Sequence, residues 1–202
     1  MTGSREWLRR HVTDPYVKEA QRLGYASRAA FKLLAMQKKD KLFKPGMTVV
    51  DLGAAPGGWS QVVSQCIGGR GRLVALDILP MNVIPDVTFI QGDFNDQEVL
   101  TQLLSTLNGD LVDIIISDMA PNLSGQKSID LPRSIHLLEL ALDCAGKILK
   151  PGGVFLFKAF QGPGLEEFVR SVKTHFAEVK YRKPEASRSE SKEIYVLAKG
   201  FR

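Results

Sequence analysis

The feature that most constrains the fold is a glycine-rich turn between an apolar run and an amphipathic segment, in the stretch VVDLGAAPGGWS. The apolar run that ends at Leu52 is typical of a buried strand, and the residues from Ser60 onward are typical of a helix. A strand, glycine turn and helix in this order bring the backbone close to a nucleotide cofactor in α/β proteins. The stretch therefore predicts an α/β domain with a ligand at the carboxyl edge of its sheet.

The chain after residue 46 alternates between strand-like and helix-like segments. Strands are predicted at 48–52, 72–76, 87–91, 112–117, 154–158, 178–183 and 193–198, and helices at 60–67, 96–107, 132–149 and 164–175. Such alternation predicts a parallel sheet with helices on both faces. The last two strands have no long helix between them, so we predict that they pair antiparallel.

The net charge of +5 is unevenly distributed. Residues 1–46 contain eleven Lys or Arg and four Asp or Glu, whereas the rest of the chain contains sixteen and eighteen. A basic N-terminal helical region (1–46) beside a near-neutral core (47–202), within one domain, indicates RNA binding, although a solvated helix surface is the alternative. Apolar positions from Val17 to Phe31 predict one amphipathic helix there. The basic residues predicted to contact phosphates are, in this region, Arg5, Arg9, Arg10, Lys18, Arg22, Arg28, Lys38, Lys39, Lys41 and Lys44, and in a second basic stretch Arg182, Lys183, Arg188 and Lys192.

Other features limit where the protein works. No apolar run reaches the roughly 18 residues that span a bilayer, and the N-terminus has no signal-peptide pattern. Cys66 and Cys144 form no CxxC pair, which favours a reducing compartment. The three histidines are far apart, so no metal site is predicted. We expect a cytoplasmic monomer that makes no contact with a membrane.

The turn differs from the dinucleotide-binding fingerprint GxGxxG. If Gly53 and Gly58 are its first and last glycines, Ala55 stands at the middle one and Pro56 lacks an N–H. This weighs against a nicotinamide-dependent reductase. Asp77 and Asp93 end two of the next predicted strands, where carboxylates can bind ribose hydroxyls and the adenine amine. Each acid alone is more often a turn residue, but together with the loop they favour an adenosine-bearing cofactor.

Six segments occur in an order that resembles the FtsJ/RrmJ (RlmE) family of S-adenosylmethionine-dependent ribose 2′-O-methyltransferases: VVDLGAAPGGWSQ, ALDILP, QGDF, SDMAPNLSG, PGGVFLFKAFQG and KPEASRSESKEIYV. The resemblance extends from about Trp7 to the C-terminus. It implies a Rossmann-like α/β methyltransferase fold whose seven-stranded sheet is mostly parallel, with the last strand inserted antiparallel. It also implies that S-adenosylmethionine is bound by Gly53, Gly57, Gly58, Trp59, Asp77, Asp93 and Asp118.

The family's catalytic residues correspond, by this resemblance, to Lys32, Asp118, Lys158 and Glu193. Lys158 can also be singled out without the resemblance, because an ammonium group rarely occurs in an apolar strand such as VFLF unless it is paired. A lysine on an edge strand is the alternative. Asp118 ends another apolar strand and should lie at the cofactor rim, unless it only forms a turn. Lys32 and Glu193 are assigned by the resemblance alone.

The chemistry explains why such a set is needed. A ribose 2′-hydroxyl is a poor nucleophile and must lose its proton as it attacks a methyl group. Our hypothesis is that Lys158 is the general base and that Lys32 stabilises the developing alkoxide, while Asp118 and Glu193 orient the two amines.

The resemblance further implies the substrate, a uridine in the A-loop of 23S rRNA within the 50S ribosomal subunit. Basic residues give affinity for phosphates without choosing a nucleotide, so nothing in their spacing selects this target. Two alternatives stay open. One is an RNA-binding ribosome assembly factor that holds S-adenosylmethionine without turnover, and the other is ribose methylation of tRNA or an mRNA cap.

Overall fold

The structure, a computed structural model, describes residues 13–122, 124–188 and 191–202. Arg5, Arg9 and Arg10 of the basic N-terminal region lie outside the described residues. The described helices are α1 (Pro15–Leu23), α2 (Ala29–Asp40), α3 (Gly58–Ile67), α4 (Gln97–Leu107), α5 (Lys127–Ile148) and α6 (Leu165–His175). The strands are β1 (Thr48–Leu52), β2 (Arg72–Asp77), β3 (Val87–Gln91), β4 (Val112–Ser117), β5 (Leu149–Phe160), β6 (Phe176–Arg182) and β7 (Glu193–Phe201).

One seven-stranded sheet has the strand order β3-β2-β1-β4-β5-β7-β6. Strand β7 is antiparallel to both of its neighbours, and the other pairs of neighbouring strands are parallel. The predicted fold class, a mostly parallel seven-stranded sheet with the last strand inserted antiparallel, is therefore confirmed. The strand order reverses between β1 and β4, and the carboxyl ends of strands at such a point form the usual binding crevice of α/β proteins.

Helices cover both faces of the sheet because alternate strand residues are apolar on both sides. Val50 and Leu52 of β1 face a core formed with α4, α5 and α6. Val49 faces the opposite core, formed with α2 and α3. All three side chains are fully buried. Each contributes roughly 1.5–3 kcal/mol of burial free energy, so both cores hold the carboxyl ends of the strands in fixed positions.

The N-terminal region departs from the prediction. The single helix expected between Val17 and Phe31 is wrong: α1 ends at Gly24, whose φ of 74° is left-handed, and α2 begins at Ala29. The side chain of Asp14 starts α1 by accepting a hydrogen bond from the Tyr16 N–H at 3.0 Å. Glycine adopts the left-handed conformation at little cost, so α1 can end there. The apolar pattern nevertheless continues into α2, and the sequence pattern therefore looked like one helix. The described part of the region, from residue 13 onward, is still mostly helical.

Two other boundaries also differ. Helix α5 begins at Lys127, ahead of its predicted start at Pro132, and the carboxylate of Asp130 accepts hydrogen bonds from the Ser124 and Gly125 N–H groups before it. Strand β5 begins at Leu149, ahead of its predicted start at residue 154, and includes the segment KPGG, with Gly152 at a φ of 82°. None of the helices within the described ranges is long and apolar enough to cross a membrane.

Candidate active site

A cavity of about 870 Å³ opens at the carboxyl edge of the sheet, where the strand order reverses. Its walls come from the loops after β1, β2, β3 and β4, from the second and third turns of α5, and from β5. The lining includes Gly53, Ala55, Asp77, Asp93, Phe94, Asp118, Arg133, His136 and Lys158. The volume is within the usual range for small-molecule sites, roughly 300–1,000 Å³.

Gly53 brings the first loop close to the next one. Its φ is 78°, and a Cβ atom added to it would lie 2.8 Å from the backbone nitrogen of Met119. Any other residue would therefore push the two loops apart. The glycine allows the backbone to form part of the cavity wall, as the turn between strand and helix predicted.

Asp77 and Asp93, which are predicted to bind the cofactor, both lie on the cavity wall. Asp77 accepts hydrogen bonds from the Ala55 N–H at 2.9 Å and from the Leu79 N–H at 2.8 Å. Asp93 accepts hydrogen bonds through Oδ1 from the backbone and the side chain of Asn95. The bond to Ala55 fixes the glycine loop against β2. Both acids therefore stabilise their loops through local hydrogen bonds, and both also lie where they can contact a ligand in the cavity.

The other predicted cofactor residues lie beside the cavity. Gly57, Gly58 and Trp59 form the start of α3 and are not among the lining residues. The Trp59 side chain is 3% exposed, and its indole N–H donates to the carbonyl of Ala29 at 2.9 Å. Trp59 therefore joins α3 to α2. Its assignment and those of Gly57 and Gly58 to the cofactor stay predictions.

The four residues assigned to catalysis form two ion pairs that lie close together. Lys158 Nζ is 3.1 Å from Asp118 Oδ1, and it also donates to the Asp118 carbonyl. Lys32 Nζ is 2.6 Å from Glu193 Oε1. Each of the four side chains is less than a fifth exposed. The fold thus brings α2, the end of β4, β5 and β7 to one point at the cavity.

Tyr195 connects the two pairs and was missed by the sequence analysis. Its hydroxyl lies 3.0 Å from Asp118 Oδ1, 3.2 Å from Glu193 Oε1 and 3.2 Å from Lys32 Nζ. The hydroxyl has one proton, so it can donate to one carboxylate while it accepts from Lys32. Tyr195 is opposite Lys158 in the β5–β7 register. Its position two residues after Glu193 on a strand was a signal that both side chains share a face.

The charges of this cluster affect its acidic groups. Burial alone would raise the pKa of Glu193, but the nearby ammonium of Lys32, followed by that of Lys158, brings this pKa below its usual value. Burial raises the pKa of Tyr195 well above its usual value, and the charges of Asp118 and Glu193 raise it further. Glu193 is therefore an anion at neutral pH, and Tyr195 keeps its proton and acts as a hydrogen-bond bridge.

Residues 25–201 match the family described as FtsJ-like methyltransferase. The chain belongs to the FtsJ-like methyltransferase family. The match includes every residue assigned above to catalysis or to the cofactor, and it confirms the resemblance seen in the sequence motifs.

Relatives of this FtsJ-like methyltransferase match it over nearly its full length. It is 58% identical over 199 residues to "Ribosomal RNA large subunit methyltransferase E" of Pseudomonas fluorescens, covering 98% of this chain and 95% of that protein. It is 57% identical to the protein of the same name from Pseudomonas aeruginosa, covering 98% and 96%. Among solved structures, a Plasmodium falciparum protein assigned as a ribosomal RNA methyltransferase superposes with a TM-score of 0.77 at 29% identity, covering 88% and 98%.

Asp51 is a further acid beside the site, to which the sequence analysis gave no role. It lies on β1 with 0% exposure, and its Oδ2 accepts a hydrogen bond from the Ser60 hydroxyl at 2.7 Å. Burial raises the pKa of Asp51 to about 7; the Ser60 hydroxyl opposes this rise, and the charges of Asp118 and Asp77 add to it. An acid at the end of a strand looks like a turn residue, which is why its burial was not foreseen.

We expect Asp51→Asn to change how stability depends on pH. The pKa of Asp51 is about 7 in the folded protein and about 3.9 in an unfolded chain. Folding thus favours its protonated form, and from about pH 4 to pH 7 the free energy of unfolding should fall by up to about 1.4 kcal/mol per pH unit. Asparagine does not ionise, so the variant does not lose this free energy of unfolding as the pH rises. It should therefore match the stability of the wild type near pH 4 and be more stable than the wild type at pH 8.

Urea unfolding of both proteins at a series of pH values, without cofactor, measures this effect. The difference between the two curves isolates Asp51 from other groups, such as Glu193, that titrate in both proteins. Curves that stay parallel from pH 4 to pH 8 would contradict the prediction.

Proposed function

We propose that this chain transfers a methyl group from S-adenosylmethionine to the ribose 2′-oxygen of a uridine in the A-loop of 23S rRNA, within the large ribosomal subunit. One observation carries the proposal. Asp118 and Lys158, which are ion-paired, line the same cavity as Asp77 and Asp93. A proton acceptor therefore lies next to a site that suits an adenosine-bearing methyl donor.

The cavity residues fit S-adenosylmethionine. Gly53 keeps the loop backbone at the cavity wall, and Asp77 and Asp93 place carboxylates where ribose hydroxyls and an adenine amine can donate to them. Phe94 adds an apolar surface for the ring. When bound, the cofactor supplies an electrophilic methyl group. We propose that these residues, with Asp118, hold it.

Lys158 is proposed as the general base. The Lys158 ammonium would first lose one proton to solvent. The neutral amine, held by Asp118, would then accept the proton of the 2′-hydroxyl as that oxygen displaces the sulfonium sulfur from the methyl carbon. Lys32, held by Glu193 and Tyr195, offsets the negative charge that develops on that oxygen. The hydroxyl of Tyr195 keeps the two amines at a fixed separation, because it is hydrogen-bonded to groups of both pairs.

The name that the two Pseudomonas relatives share and the basic surface support an rRNA substrate. Some of the basic residues predicted to contact phosphates are instead paired within the fold. Arg28 pairs with Asp14, and Arg182 pairs with Asp40. Among residues 13–46, the exposed cations are Lys18, Arg22, Lys38, Lys39, Lys41 and Lys44, of which Arg22 is paired with Glu19. We propose that these lysines, rather than the paired arginines, give the salt-dependent affinity for RNA.

The experiment that tests the proposal is transfer of a labelled methyl group from S-adenosylmethionine to large ribosomal subunits from cells that lack this protein. We expect one 2′-O-methyl uridine in the A-loop when the product is located by ribose-methylation mapping. Cofactor binding without transfer to subunits, naked rRNA or tRNA would favour the assembly-factor alternative. Transfer to tRNA or to capped mRNA alone would contradict the rRNA target.

A further inference from the structure

We infer that a second cavity, on the other side of β7 from the catalytic cluster, binds the base of a nucleotide that flanks the methylated one. This inference rests on the proposed function, since it requires a single-stranded RNA segment at the active site. The cavity has a volume of about 560 Å³ and is lined by Gln161, Gly162, Leu165, Glu166, Tyr181, Arg182, Lys183 and Ile194.

The floor and one wall of this cavity are apolar. Leu165 and Ile194 are 5% and 8% exposed and belong to the core beneath α6. Tyr181, on the edge strand β6, is 50% exposed. A half-exposed aromatic ring beside an apolar floor is a platform on which a nucleobase of any sequence can stack.

Polar groups at the rim suit the rest of a nucleotide. Lys183 Nζ donates to the carbonyls of Ser191 and Glu193, each at 2.6 Å. An ammonium has three protons, and the third has no acceptor among the described residues, so it can bind a phosphate oxygen. The amide of Gln161 and the carboxylate of Glu166 offer a donor and acceptors for the edge of a base.

The position of the cavity connects it to the reaction. Ile194 lies between Glu193 and Tyr195 on β7, so its side chain points away from theirs, to the opposite face of the sheet. Gln161 is the residue just after β5, three positions beyond Lys158, so the two Cα atoms are roughly 10 Å apart in an extended backbone. An RNA strand whose target ribose lies at Lys158 can therefore place a neighbouring nucleotide over this edge of the sheet. A nucleotide of the same RNA strand is the occupant that this continuity favours.

The test is the affinity of a short single-stranded RNA of A-loop sequence for the wild type, Tyr181→Leu and Tyr181→Phe. Leucine keeps an apolar side chain on β6 but removes the ring, and should raise Kd for the RNA about tenfold. Phenylalanine keeps the ring and should bind like the wild type. Stacking neutralises no phosphate, so the dependence of Kd on salt should stay the same in both variants.

Leu111→Ala is the matched control, because Leu111 is 41% exposed and lies just before β4, at the amino ends of the parallel strands and away from the second cavity. All variants should bind S-adenosylmethionine like the wild type. In methyl transfer to large subunits, Tyr181→Leu should raise KM and keep kcat at saturation.

Two results would overturn the inference. One is an RNA affinity for Tyr181→Leu that equals that of the control. The other is a higher KM for intact subunits with unchanged affinity for the RNA, which would assign the cavity to a ribosomal protein. The proposed function fails separately, if the wild type transfers no methyl group to rRNA.

Discussion

Lys158→Ala is expected to abolish nearly all methyl transfer, lowering kcat by about 10²- to 10⁴-fold, the usual contribution of a general base. The affinity for S-adenosylmethionine should remain close to that of the wild type, because Asp77, Asp93 and the loop at Gly53 are separate from the lysine. Single-turnover transfer of a labelled methyl group to large subunits measures the first effect, and calorimetric titration with the cofactor measures the second.

The structure indicates that this variant keeps its cavity wall. Asp118 still accepts a hydrogen bond from the Tyr195 hydroxyl, so its carboxylate remains anchored without the lysine. Lys199→Ala is a suitable control, because Lys199 lies on β7 toward the other end of the sheet and donates to the Asp40 carbonyl. Turnover that survives in Lys158→Ala would remove Lys158 as the base, and a loss of cofactor binding would indicate a binding role.

The fold was largely predictable because its strands are buried on both faces. Ile114, Ile115 and Ile116 form a continuous apolar run of β-branched residues, which is typical of a central parallel strand, and all three are fully buried. The antiparallel pairing of the last strands could be inferred because they lack a connecting helix. The end of α1 at Gly24 was missed because an apolar pattern can continue through two successive helices.

The site was predictable only where a residue conflicts with its surroundings. Lys158 stood out because it is a charge within an apolar strand. Lys32 and Glu193 are far apart in sequence and meet because α2 packs against the face of β7, so no local pattern could pair them. Tyr195 was missed because tyrosine is common in strands, so its place two residues after Glu193 did not set it apart.

Asp118→Ala should have the second large effect, on stability as well as on turnover. It leaves the Lys158 ammonium, 8% exposed, without its carboxylate, and it removes one acceptor of the Tyr195 hydroxyl. Breaking a fully buried ion pair costs about 3–5 kcal/mol. Because the Asp118 side chain is 19% exposed, we expect about 2 kcal/mol less free energy of unfolding. Turnover should fall at least about 100-fold because the base loses its orientation.

A double variant shows whether the loss of stability in Asp118→Ala comes from the unpaired charge of Lys158 or from the missing side chain. Lys158→Met combined with Asp118→Ala removes both charges, so it should recover most of the stability that Asp118→Ala loses, while turnover stays absent. Urea unfolding of the wild type, Lys158→Met, Asp118→Ala and the double variant completes a double-mutant cycle. The coupling free energy from this cycle should equal the free energy that the ion pair contributes to stability. Strictly additive losses would show that the pair contributes nothing to stability. Lys158 would then be oriented by its hydrogen bond to the Asp118 carbonyl alone, which Asp118→Ala retains.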